Sequence, residues 1–174
     1  MVAALRARAH PLRLRMLSLL TGAALSAAEL ARELEVSQAL ASYHLRQLAD
    51  AGLVVLVEER SRRGGRERRY RHEVELAADV PATDEQAQAL FVEAIVEELR
   101  RRSLQRMPGL RGLTVDAELW VHPQDWEEAR QAIAAAAIAL HDRACRPYEP
   151  GAVHVNTTVV MFPMLDRDQP VSEP

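Results

Sequence analysis

Apolar positions follow a helical period to about residue 52, alternate from 53 to 76, and then exchange these two patterns again through the rest of the chain. From Pro11 to about Thr21, Leu12, Met16, Leu19 and Leu20 lie near one helical face. Pro11 suits the first turn of that helix and Gly22 its exit. Residues 2–9 form a separate short helix that ends before the proline. Ser26-Ala27-Ala28-Glu29 is a capping box, in which the serine oxygen and the glutamate each satisfy an orphan backbone amide. Leu30 and Leu34 continue that helix. Ser37 is a second N-cap, and the helix it opens runs to about Ala51, stopped by Gly52. Two short capped helices joined by Glu35-Val36 and the cap match a helix-turn-helix.

The alternation that follows predicts a β-ribbon. Leu53 to Glu59 is rich in Val and Leu, and Tyr70, His72, Val74 and Leu76 share one side of the segment from Arg66 to Leu76. Gly64-Gly65 between them supplies the positive φ angles of a tight hairpin. A ribbon directly after the third helix is the arrangement of a wing. Pro81 and Thr83-Asp84-Glu85 mark a boundary, with Thr83 and Gln86 as a capping-box-like start to a long helix reaching about Arg106. Its apolar set (Ala87, Leu90, Phe91, Ala94, Ile95, Leu99) is broad enough to pack on its own chain and on a symmetry mate. Leu113–Val121 and Ala152–Phe162 alternate as strands around a helix from Gln124 to about Ala144. That unit is expected to bury Trp120, Trp126, Leu140, Val155 and Phe162, and residues 163–174 read as an irregular tail.

The predicted fold class is therefore α+β: an N-terminal winged helix-turn-helix (1–78), then a long dimerisation helix and a small strand-helix-strand domain (79–174). The latter is a possible effector domain. With 48% apolar and 27% charged residues the composition is globular. No apolar run approaches the ~18 residues of a membrane span, no signal peptide is visible, and a single cysteine, Cys145, excludes an intrachain disulfide. The expectation is a cytoplasmic protein without a membrane partner.

Charge sharpens the picture. The net −3 divides into +6 over residues 1–72 and −9 over residues 73–174, so the front half is the one expected to face a polyanion. Between Glu58 and His72 seven arginines stand against three glutamates. On a helical wheel Ala41, Leu45 and Leu48 form the buried seam of the third helix, and Ala39, Ser42, Tyr43 and Arg46 face away. Hydroxyl, phenol and guanidinium groups bond phosphates or base edges, and Gln38 suits an adenine edge. His44 lies at the border of the seam, where packing ranks ahead of a base contact. The candidate DNA-binding set is Ser37, Gln38, Ser42, Tyr43, His44 and Arg46 on the helix and Arg62, Arg63, Arg66, Arg68 and Arg69 on the ribbon.

Three pieces together, His10-Pro11-Leu12-Arg13, Ser42-Tyr43-His44-Leu45 and Ala51-Gly52-Leu53-Val54, make residues 5–75 resemble the ArsR/SmtB winged-helix repressors. The resemblance implies a homodimer that regulates operators in duplex DNA, commonly as a repressor, and answers to an effector. Glu35 stands where that family often has glycine, implying a left-handed residue at the turn. The cysteine pair with which many members bind metal in the second or third helix is absent. The donors His122, His141, Asp142, Cys145 and His154 have no compact ligand spacing. No metal and no cofactor are predicted, and a small-molecule effector stays open. Two alternatives are a winged-helix protein-interaction module and a repressor with His/Asp metal ligands. Neither a phosphate loop nor a nucleophile elbow appears, so catalysis is not expected.

Overall fold

The computed structural model describes residues 2–62, 65–72 and 84–164. In chain order the elements are α1 (Val2–Arg8), α2 (Pro11–Gly22), β1 (Leu25–Ser26), α3 (Ala27–Leu34), α4 (Gln38–Asp50), β2 (Val55–Arg62), β3 (Gly65–Arg71), α5 (Glu85–Ser103) and α6 (Pro123–Asp142). Arg63, Gly64, Val74, Leu76, Pro81, Thr83 and the tail after residue 164 lie outside the described residues. Among the described residues no helix is long and apolar enough to cross a membrane.

Local chemistry sets the helix ends. His10 caps α2, its Nδ1 accepting the Leu12 N–H at 3.1 Å. The capping box closes at both bonds: the Ser26 N–H donates to Glu29 Oε2 at 2.8 Å and the Glu29 N–H donates to Ser26 Oγ at 3.4 Å. Ser37 caps α4 through the Leu40 N–H at 3.2 Å. Glu35 adopts φ 55°, ψ 43°, the left-handed residue that terminates α3. Here glycine would avoid the Cβ penalty.

One core holds these elements. Met16, Leu20, Leu30, Ala41 and Leu48 are fully buried, with Leu25, Leu34, Leu45, Leu53 and Val54 around them. The sheet is three-stranded in the order β1-β3-β2, all antiparallel. β1 was not anticipated. Only two residues long, it pairs Leu25 with Tyr70 and Ser26 with Arg69, anchoring the ribbon to the helices. The register shifts between Leu56 and Glu58, a bulge that leaves Val57 unmatched and increases local twist.

The second half departs from expectation. α5 starts one residue later than predicted, with Asp84 rather than Thr83 as the cap, Oδ1 accepting the Ala87 N–H at 2.9 Å. It packs on α1 and α2 through Ala87 and Ala94, which are buried. Buried Glu98 on the same helix is satisfied by Arg101 and Arg102. α6 forms as predicted, but the strands around it do not: 113–121 and 152–162 carry no ladder. Among the described residues the expected sandwich core does not form: Trp120 is 81%, Phe162 61%, Val155 58% and Leu140 46% exposed, and only Trp126 is partly covered. Alternation fixes a strand's faces and leaves its partner unspecified, so these segments satisfy half of what a sheet needs. After α6 the chain returns to α2, where the Cys145 carbonyl sits against Gly22 so closely that a Cβ at residue 22 has no room.

Candidate nucleic-acid interface

α4 presents two opposite faces. Ala41, His44, Leu45 and Leu48 are buried, whereas Ser37, Gln38, Ala39, Tyr43 and Arg46 are exposed and Ser42 is half-buried. Tyr43 is 49% exposed. Arg46 forms no hydrogen bond or ion pair among the described residues, which leaves its guanidinium available to a ligand. Ser37 reaches the same surface, but its hydroxyl is already engaged as the helix cap.

His44 does not belong to this surface. It is 5% exposed, its ring lies 4.7 Å from that of His10 and 5.1 Å from that of Tyr43, and its Nδ1 is buried without a partner. A side chain at the border of the seam turns inward here because the His10 ring at the start of α2 offers it a packing surface. His44 thus supports the helix from behind, and the expectation of a DNA contact is corrected. Burial, the neighbouring His10 and the positive Arg13 hold its pKa below the ordinary histidine value.

The ribbon is likewise divided. Arg66 and Arg68 are exposed and share Glu59, at 3.2 Å and 3.5 Å, while Arg60 pairs with Glu58. Exposed pairs of this kind contribute only ~0–1 kcal/mol, so a phosphate displaces Glu59 at little cost while the pairing keeps both guanidinium groups close together. Arg69 turns the other way. Its Nε donates to the Ala24 carbonyl at 3.1 Å and its Nη2 to Glu29 Oε1 at 2.8 Å, and both side chains are about three-quarters covered. Its assignment to the DNA face is corrected: Arg69 ties the ribbon to α3, in register with Ser26 of β1. Burial raises the pKa of Glu29, but the Ser26 hydrogen bonds and the charges of Arg69 and Arg32 outweigh that and hold it below the usual carboxylate range. Arg62 is described only through its backbone, at the end of β2 opposite Gly65. Arg71, not among the predicted site residues, is exposed on β3; position within the arginine run was the available signal.

A second helix after a tight turn, its polar face outward and a basic ribbon next in the chain, is the arrangement by which winged proteins enter the major groove. Residues 9–57 match the family model of a helix-turn-helix domain. The chain carries a helix-turn-helix domain. It runs from the cap of α2 to the bulge of β2, so it includes α4 whole and ends before the arginines of the wing. No curated protein matches the chain. The helix-turn-helix domain marks the chain as a DNA-binding regulator, and the adjoining antiparallel ribbon makes it a winged one.

A cavity of about 360 Å³ lies beside this domain, lined by Arg6, Ala9, Arg13, Gln86, Ala87 and Leu90. Its cations are engaged. Arg6 pairs with Asp84 at 2.7 Å, and Arg13 donates to the carbonyls of Ala7 and Arg6. Among the described residues no group of three or more His, Cys, Asp or Glu gathers.

Proposed function

We propose that the protein is a sequence-specific, homodimeric transcription regulator of the ArsR-like type, acting as a repressor without the thiolate metal site. The observation that carries this reading is the outward face of α4, which presents Gln38, Ser42, Tyr43 and Arg46, in a chain whose following ribbon exposes Arg66 and Arg68. Gln38 and Arg46 read base edges, Tyr43 and Ser42 bond phosphate or base, and the wing arginines meet the backbone. The dimer reading draws on α5, which keeps a second apolar stripe opposite its packed face: Val92, Val96 and Leu99 are 38–43% exposed. Covering that stripe with a second copy places two α4 helices for half-sites ~34 Å apart. The repressor role follows from the resemblance of residues 5–75, and an effector, if one acts, has no site assigned to it.

The test is gel-shift binding to the DNA upstream of the protein's own gene. Arg46→Ala and Tyr43→Ala are expected to weaken binding by about 1–3 kcal/mol each while sedimentation still reports a dimer. Unchanged affinity in both variants rules out α4 as the reading helix. Salt-insensitive association with a protein partner, and none with duplex DNA, points to the interaction-module alternative.

A further inference from the structure

Segment 152–162 has the sequence pattern of a strand and forms no ladder. Val153, Val155, Thr157, Val159 and Met161 alternate along it. Val153, Val155 and Val159 are 52–61% exposed, and Val160 and Phe162 on the opposite side 47% and 61%. Among the described residues no backbone–backbone hydrogen bond involves residues 153–162. An apolar segment of strand-forming sequence whose N–H and C=O groups make no backbone hydrogen bond can pair with the edge of another chain.

What covers it is set by its own pattern. About Thr157 the sequence is symmetric in character: Val155 is matched by Val159 and Val153 by Met161, and the only titratable group in the segment is His154. Antiparallel pairing with its own copy therefore sets apolar against apolar at every position of that face except the centre, where Thr157 meets Thr157. Segment 113–121 lacks this property, because pairing about Ala117 sets Asp116 opposite Glu118, and like charges directly opposite are destabilising. The segment is also tied to α5, since Arg102 Nη1 donates to Asn156 Oδ1 at 3.1 Å, and α5 carries the other uncovered apolar stripe.

We infer that residues 152–162 pair antiparallel with the same residues of a second copy, Thr157 opposite Thr157 on the two-fold axis, forming an intermolecular sheet. The inference rests on the homodimer of the proposed function and adds to it a second, C-terminal interface.

Cross-linking the full-length chain tests the register. In a Cys145→Ser background, Thr157→Cys is expected to give a disulfide-linked dimer as its main species under mild oxidation with oxidised glutathione, since directly opposed Cβ atoms lie ~4.5–5.5 Å apart. Val153→Cys stands ~27 Å from its own copy in this register and is expected to stay monomeric on the same gel. Val153→Cys/Met161→Cys is expected to regain the cross-link. Equal cross-linking of Thr157→Cys and Val153→Cys, or no cross-link with Thr157→Cys, overturns the pairing. Sedimentation of the unoxidised protein separates the two readings. A dimer that fails to cross-link at Thr157 leaves the homodimer standing without this sheet; a monomer removes both.

Discussion

The two halves of the chain use the same kinds of sequence signal and end in opposite states. In residues 11–71 each helix or strand finds its cover within a few tens of residues: α3 and α4 pack on α2, and β2 pairs with β3, the next strand in the chain. In residues 113–162 the alternation is as regular, yet α6 has no buried residue and the segments around it form no strand ladder among the described residues. The difference lies in where the partner is, rather than in propensity. A hairpin brings its own partner along, whereas a strand separated from the next by a twenty-residue helix depends on whatever surface later covers it.

The largest test of this contrast compares truncations in the two halves. Leu48 is fully buried, so Leu48→Ala is expected to cost about 2–5 kcal/mol. Leu104, 88% exposed at the end of α5, is expected to tolerate alanine within about 0.5 kcal/mol. Urea denaturation of both variants measures the gap. Similar losses in the two would mean that the second half contains a core of its own.

A smaller effect separates two arginines only three residues apart. Arg69→Ala removes the hydrogen bonds to Ala24 and Glu29 and is expected to cost about 1–2 kcal/mol of stability. The salt dependence of DNA binding should not move. Arg66→Ala is expected to leave stability unchanged and to reduce the salt slope of DNA binding by about 1. Denaturation and salt-titrated gel shifts on both variants decide it; a reversal of the two phenotypes would put Arg69 back on the DNA face.

These residues also show how far the sequence was legible. Features that a stretch of three or four residues determines were readable, the Ser26–Glu29 capping box and the Ser37 cap among them; the β2–β3 pairing was legible from alternation, and the left-handed Glu35 from the family resemblance. The seam of α4 was readable because its period is fixed. Direction within a charge run was not. Whether an arginine faces phosphate or a buried carboxylate depends on β1, a two-residue strand with no signature of its own. The inward turn of His44 depends in the same way on His10, more than thirty residues earlier. The sandwich predicted around α6 failed for the related reason that alternation says nothing about the partner.

The smallest effect concerns pH and three histidines of the first half. His10, His44 and His72 all have pKa values below the ordinary 6.5. Burial is the leading cause for each. Arg13 adds to it at His10, with Glu97 opposing; His10 and Arg13 add to it at His44. At His72 the Leu53 carbonyl opposes it while Arg8 and His141 reinforce it. A histidine that resists protonation when folded binds fewer protons in the native than in the unfolded state. Its contribution to stability is therefore full above about 6.5 and declines as the pH falls through that value toward the lower folded pKa. His10 adds a structural reason: its Nδ1 accepts the Leu12 N–H, a bond that the imidazolium cannot form. The melting temperature is expected to fall between pH 7.5 and 5.5. In His10→Asn, which keeps a capping acceptor and loses the titration, that fall should be shallower, because one of the three groups is removed and His44 loses a neighbouring charge. An equal or steeper fall in His10→Asn would show that the acid sensitivity comes from outside the His10–His44 pair.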